Sequence, residues 1–322
     1  MKKTIPTVAV LVLFGSFSVV ACSSADSADG AVVPALGGEN VGVQAEHEIL
    51  RGNGVHSVRN EAAARTTSRA NVTDHGGRVV PTMHYYAIYW GAGFEASTQS
   101  LYTGFLGGLG QSTYWTTNTQ YLRGAANTAS YVASTNDATQ PPATVTDANV
   151  QAEVHKILAS GALPYDANGL YFVMTPSSTK VCNGSSCSCS NFCGYHSNYA
   201  DSSFGTVLYS PIPSAAACPA SCGVFTSNAT SPNGNIEADE GVSIIAHEAE
   251  ETQSDALGSA WFDRTGNENA DKCAYKYGPT TTLNGAKVNQ TWGGTSYLVQ
   301  MNWSNQISGC AQQGPADGPY TQ

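Results

Sequence analysis

The chain has 322 residues and a formal net charge of −10, from 14 basic and 24 acidic residues. Only 12% of its residues are charged, against about 25% in a typical soluble domain. The acidic balance excludes a nucleic-acid-binding protein, because binding to phosphate backbones requires a basic stripe. The sequence also contains no glycine-rich phosphate loop, dinucleotide fingerprint or G-x-S-x-G nucleophile elbow, so we expect no nucleotide partner.

The first residues predict a lipoprotein signal peptide. Two lysines precede an apolar run from Ile5 to Val20, which is typical of a secretion signal. The run ends in Val-Val-Ala-Cys at Cys22, which resembles a bacterial lipobox. We therefore expect residues 1–21 to be removed and Cys22 to be lipidated; the alternative is an ordinary signal peptide with a chance cysteine. The protein would be exported, and either anchored to the bacterial cell envelope through its lipid or released extracellularly.

The following segment, residues 22–78, predicts a flexible tether. It is rich in small polar residues and poor in large apolar ones, so it cannot bury enough surface to offset the entropy lost on ordering. His47 and His56 fall in this stretch, and we interpret both as solvated histidines of a linker. Residues 79–322 are then expected to form a single domain.

The predicted domain alternates strands and helices. Strands are expected where β-branched and aromatic residues cluster, at Met83–Trp90, Thr128–Ser134, Leu170–Thr175 and Val207–Tyr209. Helices are expected where apolar residues recur at helical period, at Leu101–Leu109 and Val150–Leu158. Near the C-terminus a hairpin is expected between Ala286–Trp292 and Ser296–Trp303. This order predicts an α+β fold built on a mixed, twisted β-sheet.

Eight of the nine cysteines lie between residues 182 and 310. An even set in an exported protein predicts disulfides that staple loops, whereas the same cluster in a cytosolic protein would indicate a zinc knuckle. Spacing alone does not fix the connectivity. We expect Cys273 to pair with Cys310 and Cys218 with Cys222.

The stretch Gly241–Leu257 predicts the helix that carries the chemistry. Its apolar residues form a stripe that can pack against a sheet. His247 and Glu251 are four residues apart, so they project together from a neighbouring face and can bind one metal ion. Glu248 stands where a general base for a metal-bound water is needed. The pattern is that of H-E-x-x-H metallopeptidases with glutamate as the second ligand, which predicts a metallopeptidase-like helix.

A metal held by two side chains of one helix needs a third ligand, and Glu268 is the predicted one. If the helix ends near Gly258 and the chain turns back, Glu268 reaches the ion. Asp271 would then accept the free ring N–H of His247 and orient it, as in the third-ligand segment that this stretch resembles in thermolysin-like enzymes. His196 is a candidate extra ligand or substrate contact, against a structural role. We predict one divalent ion, with zinc as the expected metal.

Several segments between about Val79 and Cys310 resemble the phosphate-induced or EXORDIUM-like family of plant extracellular proteins and their bacterial and fungal relatives. The matching segments are YYAIYWG, CGYH, CPASCGVF, SPNGNIEADEGVSIIAHEAEET, AWFDRTGNENADKCAYKYG and YLVQMNW. The resemblance implies an extracellular single domain with disulfides, and it supplies no reaction. Plant members lack the His-Glu pair, so a catalytic role would belong to a branch of the family.

Two functions fit these observations. The first is a metal-dependent hydrolase at the cell surface, in particular a peptidase, with His247, Glu251 and Glu268 as ligands and Glu248 as general base. Its substrate would be a peptide or a cell-surface polymer. The second is a non-catalytic surface lipoprotein that binds cell-wall or matrix polymers, with its acidic helix face solvated or binding calcium.

Overall fold

The computed structural model describes residues 55–59, 70–225 and 230–314. The predicted signal peptide, Cys22 and His47 lie outside these residues. In the described ranges the α-helices are α1 (Ala96–Leu109), α2 (Asp147–Ala159) and α3 (Ile236–Ser254). None of these helices is both long enough and apolar enough to cross a membrane.

Most strands are short and pair with one partner. In chain order they are β1 (Val55–Ser57), β2 (Thr73–Asp74), β3 (Thr82–Trp90), β4 (Thr128–Asp137), β5 (Thr144–Thr146), β6 (Gly169–Thr175), β7 (Lys180–Asn183), β8 (Ser186–Cys187), β9 (Phe192–Tyr195), β10 (Ser197–Asp201), β11 (Gly205–Pro213), β12 (Trp261–Phe262), β13 (Thr281–Leu283), β14 (Ala286–Val288), β15 (Gln290–Trp292), β16 (Thr295–Tyr297), β17 (Asn302–Ser304) and β18 (Gly309–Ala311).

The main sheet has five strands in the order β10-β11-β6-β3-β4. Strands β11, β6, β3 and β4 run parallel, and β10 is an antiparallel edge strand. Strand β6 is central and all of its residues are buried, because a parallel strand covered on both faces reads as a continuous apolar run. The four predicted strands and the two predicted helices are therefore present, and the α+β class with a mixed sheet is confirmed.

Helices cover both faces of this sheet. Alternate residues of β3 point to opposite cores: Tyr85 and Ala87 pack with apolar residues of α1 and α3, and Tyr86 and Ile88 pack with those of α2. The two-residue period of a strand explains this division. Helix α3 thus lies on the same face of the sheet as α1. Its apolar stripe predicted that it packs against a sheet.

Helix α3 departs from the expected amphipathic pattern. Every residue from 238 to 254 is buried, although much of this sequence is acidic or polar. The polar face contacts β1 and β9 instead of solvent. The helix also begins earlier and ends earlier than predicted, at Ile236 and Ser254. Burial of its polar face creates the site described below.

Within the part of the chain that the structure describes, four disulfides link the loops. Cys273 bonds Cys310, which confirms that prediction. The predicted bond between Cys218 and Cys222 is wrong. These two cysteines share a short turn, in which the Cys222 N–H donates to the Cys218 carbonyl at 2.9 Å, and both sulfurs cross to a neighbouring segment. The bonds formed are Cys189–Cys218, Cys193–Cys222 and Cys182–Cys187.

The predicted C-terminal hairpin is divided into smaller units. Strands β13 and β14, β15 and β16, and β17 and β18 form three separate two-stranded hairpins. The predicted turn at Gly293 and Gly294 is present, and both glycines have positive φ. It connects β15 and β16 only, because the chain leaves the strand conformation after Tyr297.

Two parts of the predicted tether carry structure. Strand β1 pairs antiparallel with β9, and β2 pairs antiparallel with β12. Val58 and Val72 are buried beside these strands. Each of these two segments is held on the fold by its strand pairing and by one buried valine, although its composition predicted a linker.

Candidate metal centre

Helix α3 positions three of the predicted site residues. The Asn235 side chain caps its first turn by accepting the Ala238 N–H at 3.1 Å. Strand β9 approaches the helix closely at Gly194, where a Cβ atom would lie 2.6 Å from Ile244 and 3.2 Å from Glu248 Oε1. A side chain at position 194 would therefore push β9 away from the helix.

The first group of candidate ligands surrounds His247. Its Nε2 lies 3.1 Å from Glu251 Oε1 and 3.6 Å from Asp271 Oδ1. The Asp271 backbone N–H donates to the same Glu251 oxygen at 2.9 Å. One ligand atom from each of these residues lies within 4.8 Å of the others, and all three residues are buried. This arrangement can bind one cation.

The second group surrounds His196. Its Nε2 lies 3.1 Å from Glu268 Oε2 and 3.7 Å from Glu251 Oε2. These three residues are also buried and within 4.8 Å of one another. Glu251 is therefore common to both groups, and it directs one carboxylate oxygen towards each histidine.

The loop after β12 delivers Glu268 and Asp271. The Glu268 N–H donates to Asp271 Oδ2 at 3.2 Å. Asp263 accepts the backbone N–H of Asn267 at 3.1 Å and pairs with the buried Lys272 at 3.0 Å. Asn269 donates to Asn118 Oδ1 at 2.6 Å. These bonds hold both carboxylates against α3.

Glu248, the predicted general base, is completely buried. Its Oε1 accepts the backbone N–H of His56 at 3.2 Å, and its Oε2 has no hydrogen-bond partner among the described residues. Burial, followed by the nearby charges of Glu251 and Asp271, raises the pKa of Glu248 well above its ordinary value. A positive charge placed nearby would stabilise the ionised form of this carboxyl group.

The prediction that His56 is a solvated linker histidine is wrong, because the residue is buried beside the cluster. Its ring lies 4.5 Å from that of His247, and its side chain is 2% exposed. Burial lowers its pKa well below the ordinary value, and burial lowers the pKa of His196 to about 4. Neutral imidazoles are the form that binds metals. No local sequence signal marks His56, because β1 reaches the site only by pairing with β9.

The predicted ligands thus lie in one cluster, arranged differently from the expectation. His247, Glu251 and Glu268 were predicted as a single ligand set with Asp271 behind His247. The structure places Asp271 with His247, and Glu268 with His196, on opposite oxygens of Glu251. Their binding of a metal stays a prediction.

A separate cavity of about 550 Å³ lies at the N-termini of α1 and α3. Phe94, Ser97, Thr98, Asn233 and Glu237 contribute to its lining. None of the clustered histidines and carboxylates lines it. We place the candidate chemistry at the buried cluster, because ligand-type atoms converge there.

Comparison with known proteins supports the predicted family resemblance. Residues 72–312 match the family described as "Phosphate-induced protein 1 conserved region". The chain is 29% identical over 194 residues to Protein EXORDIUM-like 3 of Arabidopsis thaliana, which covers 52% of this chain and 56% of the plant protein. The match therefore spans little more than half of that relative. No solved structure matches the chain. All predicted ligands lie inside the matched region, whereas His56 lies before it.

Proposed function

The chain belongs to the phosphate-induced protein 1 family, and we propose that this member is a metal-dependent hydrolase, in particular a peptidase. The observation that carries the proposal is the buried convergence of His247, His196 and Glu251, with each imidazole Nε2 within 3.7 Å of a Glu251 oxygen. Buried carboxyl groups are stable in their ionised form only beside a compensating positive charge. A divalent cation held by these residues would supply that charge and would polarise a water molecule.

The donor set suits a transition metal, with zinc as the expected ion. Two ligand atoms on one tetrahedral zinc lie about 3.4 Å apart when each bond is about 2.1 Å long. The observed separations around Glu251, from 3.1 to 3.7 Å, agree with this value. The mixture of imidazole and carboxylate ligands is also compatible with manganese or iron.

Glu248 has the properties of the general base. It follows His247 directly, and one of its oxygens has no hydrogen-bond partner in the described chain. A bound cation lowers the pKa of a neighbouring carboxyl group, which would let Glu248 take a proton from water near neutral pH. The same group could then return the proton to the leaving amine.

A peptide is the substrate class that the surroundings favour. Strand β1 is an extended backbone paired antiparallel with β9, with Val55 opposite Tyr195 and His56 opposite Gly194. Its His56 N–H contacts Glu248. The edge of β9 therefore accepts an extended chain beside the proposed base, which is the geometry of recognition by strand addition. Residues 55–57 would have to move for a substrate to occupy the same edge.

The test is Glu248→Gln in the full-length protein, with Glu240→Gln as the matched control on the same helix. We expect Glu248→Gln to abolish cleavage of unfolded casein while its metal content equals that of wild type. The control, Glu240→Gln, should keep both the cleavage activity and the metal content of wild type. Unchanged cleavage by Glu248→Gln would exclude this base. Wild-type protein without a tightly bound metal would refute the proposed function.

The second candidate is a non-catalytic protein that binds cell-wall or matrix polymers. The cavity between the N-termini of α1 and α3 favours it, because Phe94 can stack on a sugar ring while the exposed Glu95 and Ser97 offer hydrogen bonds. Retained binding to a cell-wall preparation by His247→Ala, in a protein without metal, would support this function over the first.

The proposed place of action is the cell surface. A lipid on Cys22 would attach the chain to the membrane, or cleavage without lipidation would release it. Labelling with radioactive palmitate should mark the wild-type protein and not Cys22→Ser. Absence of label from wild type would leave the released form as the proposal.

A further inference from the structure

We propose that the buried cluster binds two divalent cations, with the carboxylate of Glu251 as a bridge between them. This inference rests on the proposed metal-dependent function, and it specifies the number of ions and the ligands of each. His247 and Asp271 would belong to one ion, and His196 and Glu268 to the other.

The bridge is indicated by the orientation of the Glu251 carboxylate. Its Oε1 lies 3.1 Å from His247 Nε2, and its Oε2 lies 3.7 Å from His196 Nε2. A glutamate that chelated one ion through both oxygens would direct them to a single group of ligands. Here each oxygen has its own histidine, as required of a carboxylate that joins two ions about 3.5–4 Å apart.

Each half of the cluster has its own complete set of donors. The half near His247 adds Asp271, at 3.6 Å from Nε2, and the half near His196 adds Glu268, at 3.1 Å from Nε2. Both halves therefore contain one imidazole, one carboxylate of their own and one oxygen of Glu251. This equivalence argues against a single ion with one unused group of ligands.

The charge of the cluster is compatible with two ions. Four carboxylates meet here, and none is more than 2% exposed: Glu248, Glu251, Glu268 and Asp271. If all four are ionised, one dication leaves two negative charges in a site shielded from solvent, which is costly. A second dication balances them. Protonation of two carboxyl groups would balance them equally, and the number of bound ions distinguishes these possibilities.

The two halves can be removed separately, because their ligands come from different parts of the chain. His196 stands between β9 and β10, and Asp271 stands in the loop after β12. His196→Ala should leave the ion at His247, and Asp271→Ala should leave the ion at His196. Glu240→Gln is the control, since this buried glutamate of α3 belongs to neither group.

The experiment measures ions per chain. Full-length protein is stripped with a chelator, refilled with zinc alone or manganese alone, freed of excess metal and analysed by mass spectrometry of the elements. We expect two ions in wild type and in Glu240→Gln, and one in His196→Ala and in Asp271→Ala. Manganese in wild type should also give the electron paramagnetic resonance spectrum of a coupled pair, and the two alanine variants should not.

The possible results separate the two proposals. One ion per wild-type chain, with an uncoupled manganese spectrum, would overturn the two-ion inference and leave the metal-dependent function intact. No ion at all would overturn both. Should either alanine variant fail to fold, as judged by circular dichroism, the wild-type stoichiometry and the manganese spectrum still decide the question.

Discussion

Glu240 offers a prediction whose magnitude follows from its surroundings. It is completely buried in α3, seven residues before His247. The backbone at Gly223 covers its carboxyl group so closely that a Cβ there would collide with it. Burial, with the charge of Glu237, raises the pKa of Glu240 from 4.5 to about 8, against the opposing charge of Arg59.

This pKa links the stability of the protein to pH. Between pH 4.5 and about 8 the unfolded chain loses the Glu240 proton while the native protein keeps it. The contribution of Glu240 to the free energy of unfolding is therefore complete below pH 4.5, and it is lost as the pH rises through about 8. Each pH unit in this window costs about 1.4 kcal/mol at most. Structural relaxation around the ionised carboxylate reduces the total over this window. We therefore expect the free energy of unfolding to fall by about 2 to 4 kcal/mol.

Replacing Glu240 by glutamine should remove this loss. Free energies of unfolding are measured by denaturant titration at pH 5 and pH 8, with the disulfides intact. Wild type should lose about 2 to 4 kcal/mol more than Glu240→Gln between the two pH values. Glu95→Gln, at an exposed carboxylate, reports the effect of removing one charge without burial. Equal pH dependence in wild type and Glu240→Gln would refute the assigned burial cost.

Three further predictions concern the surroundings of the cluster. Replacing both Cys193 and Cys222 by serine opens only the ring of about ten residues that this bond closes with Cys189–Cys218, and should lower stability by about 2.5 kcal/mol in thermal unfolding; a loss below about 1 kcal/mol would contradict this. His56→Ala removes the ring beside His247 and should speed metal transfer to a coloured chelator without changing metal content; equal transfer rates would show that the ring does not cover the site. Asn118→Ala leaves the buried side-chain amide of Asn269 without its acceptor and should cost about 2 to 3 kcal/mol, whereas a stability equal to that of wild type would exclude a role for this bond.

The sequence predicted the elements that local patterns specify. The run of Leu170–Thr175 has no polar interruption, so a central strand was expected and β6 is central. The apolar period of α3 likewise placed it against the sheet. The pair Asn284-Gly285 carries an equally local signal for a hairpin turn. Both residues have positive φ between β13 and β14, as the favoured two-residue hairpin turn requires.

What the sequence could not predict depends on contacts between distant segments. His56 lies in a stretch of linker-like composition, and only the pairing of β1 with β9, far along the chain, brings it to His247. The arrangement around Glu251 depends on how the loop after β12 folds back. Periodicity specified only the face of α3 that packs against the sheet, because it contains no information about the segments that cover the polar face.

The most direct test of a metal at this site is X-ray diffraction at the zinc absorption edge from crystals grown with zinc. We predict an anomalous peak within about 2.3 Å of both His247 Nε2 and a Glu251 oxygen. The peak should be absent in crystals of His247→Ala. A wild-type map with no peak at Glu251, or with peaks only at exposed side chains, would contradict the metal-dependent account.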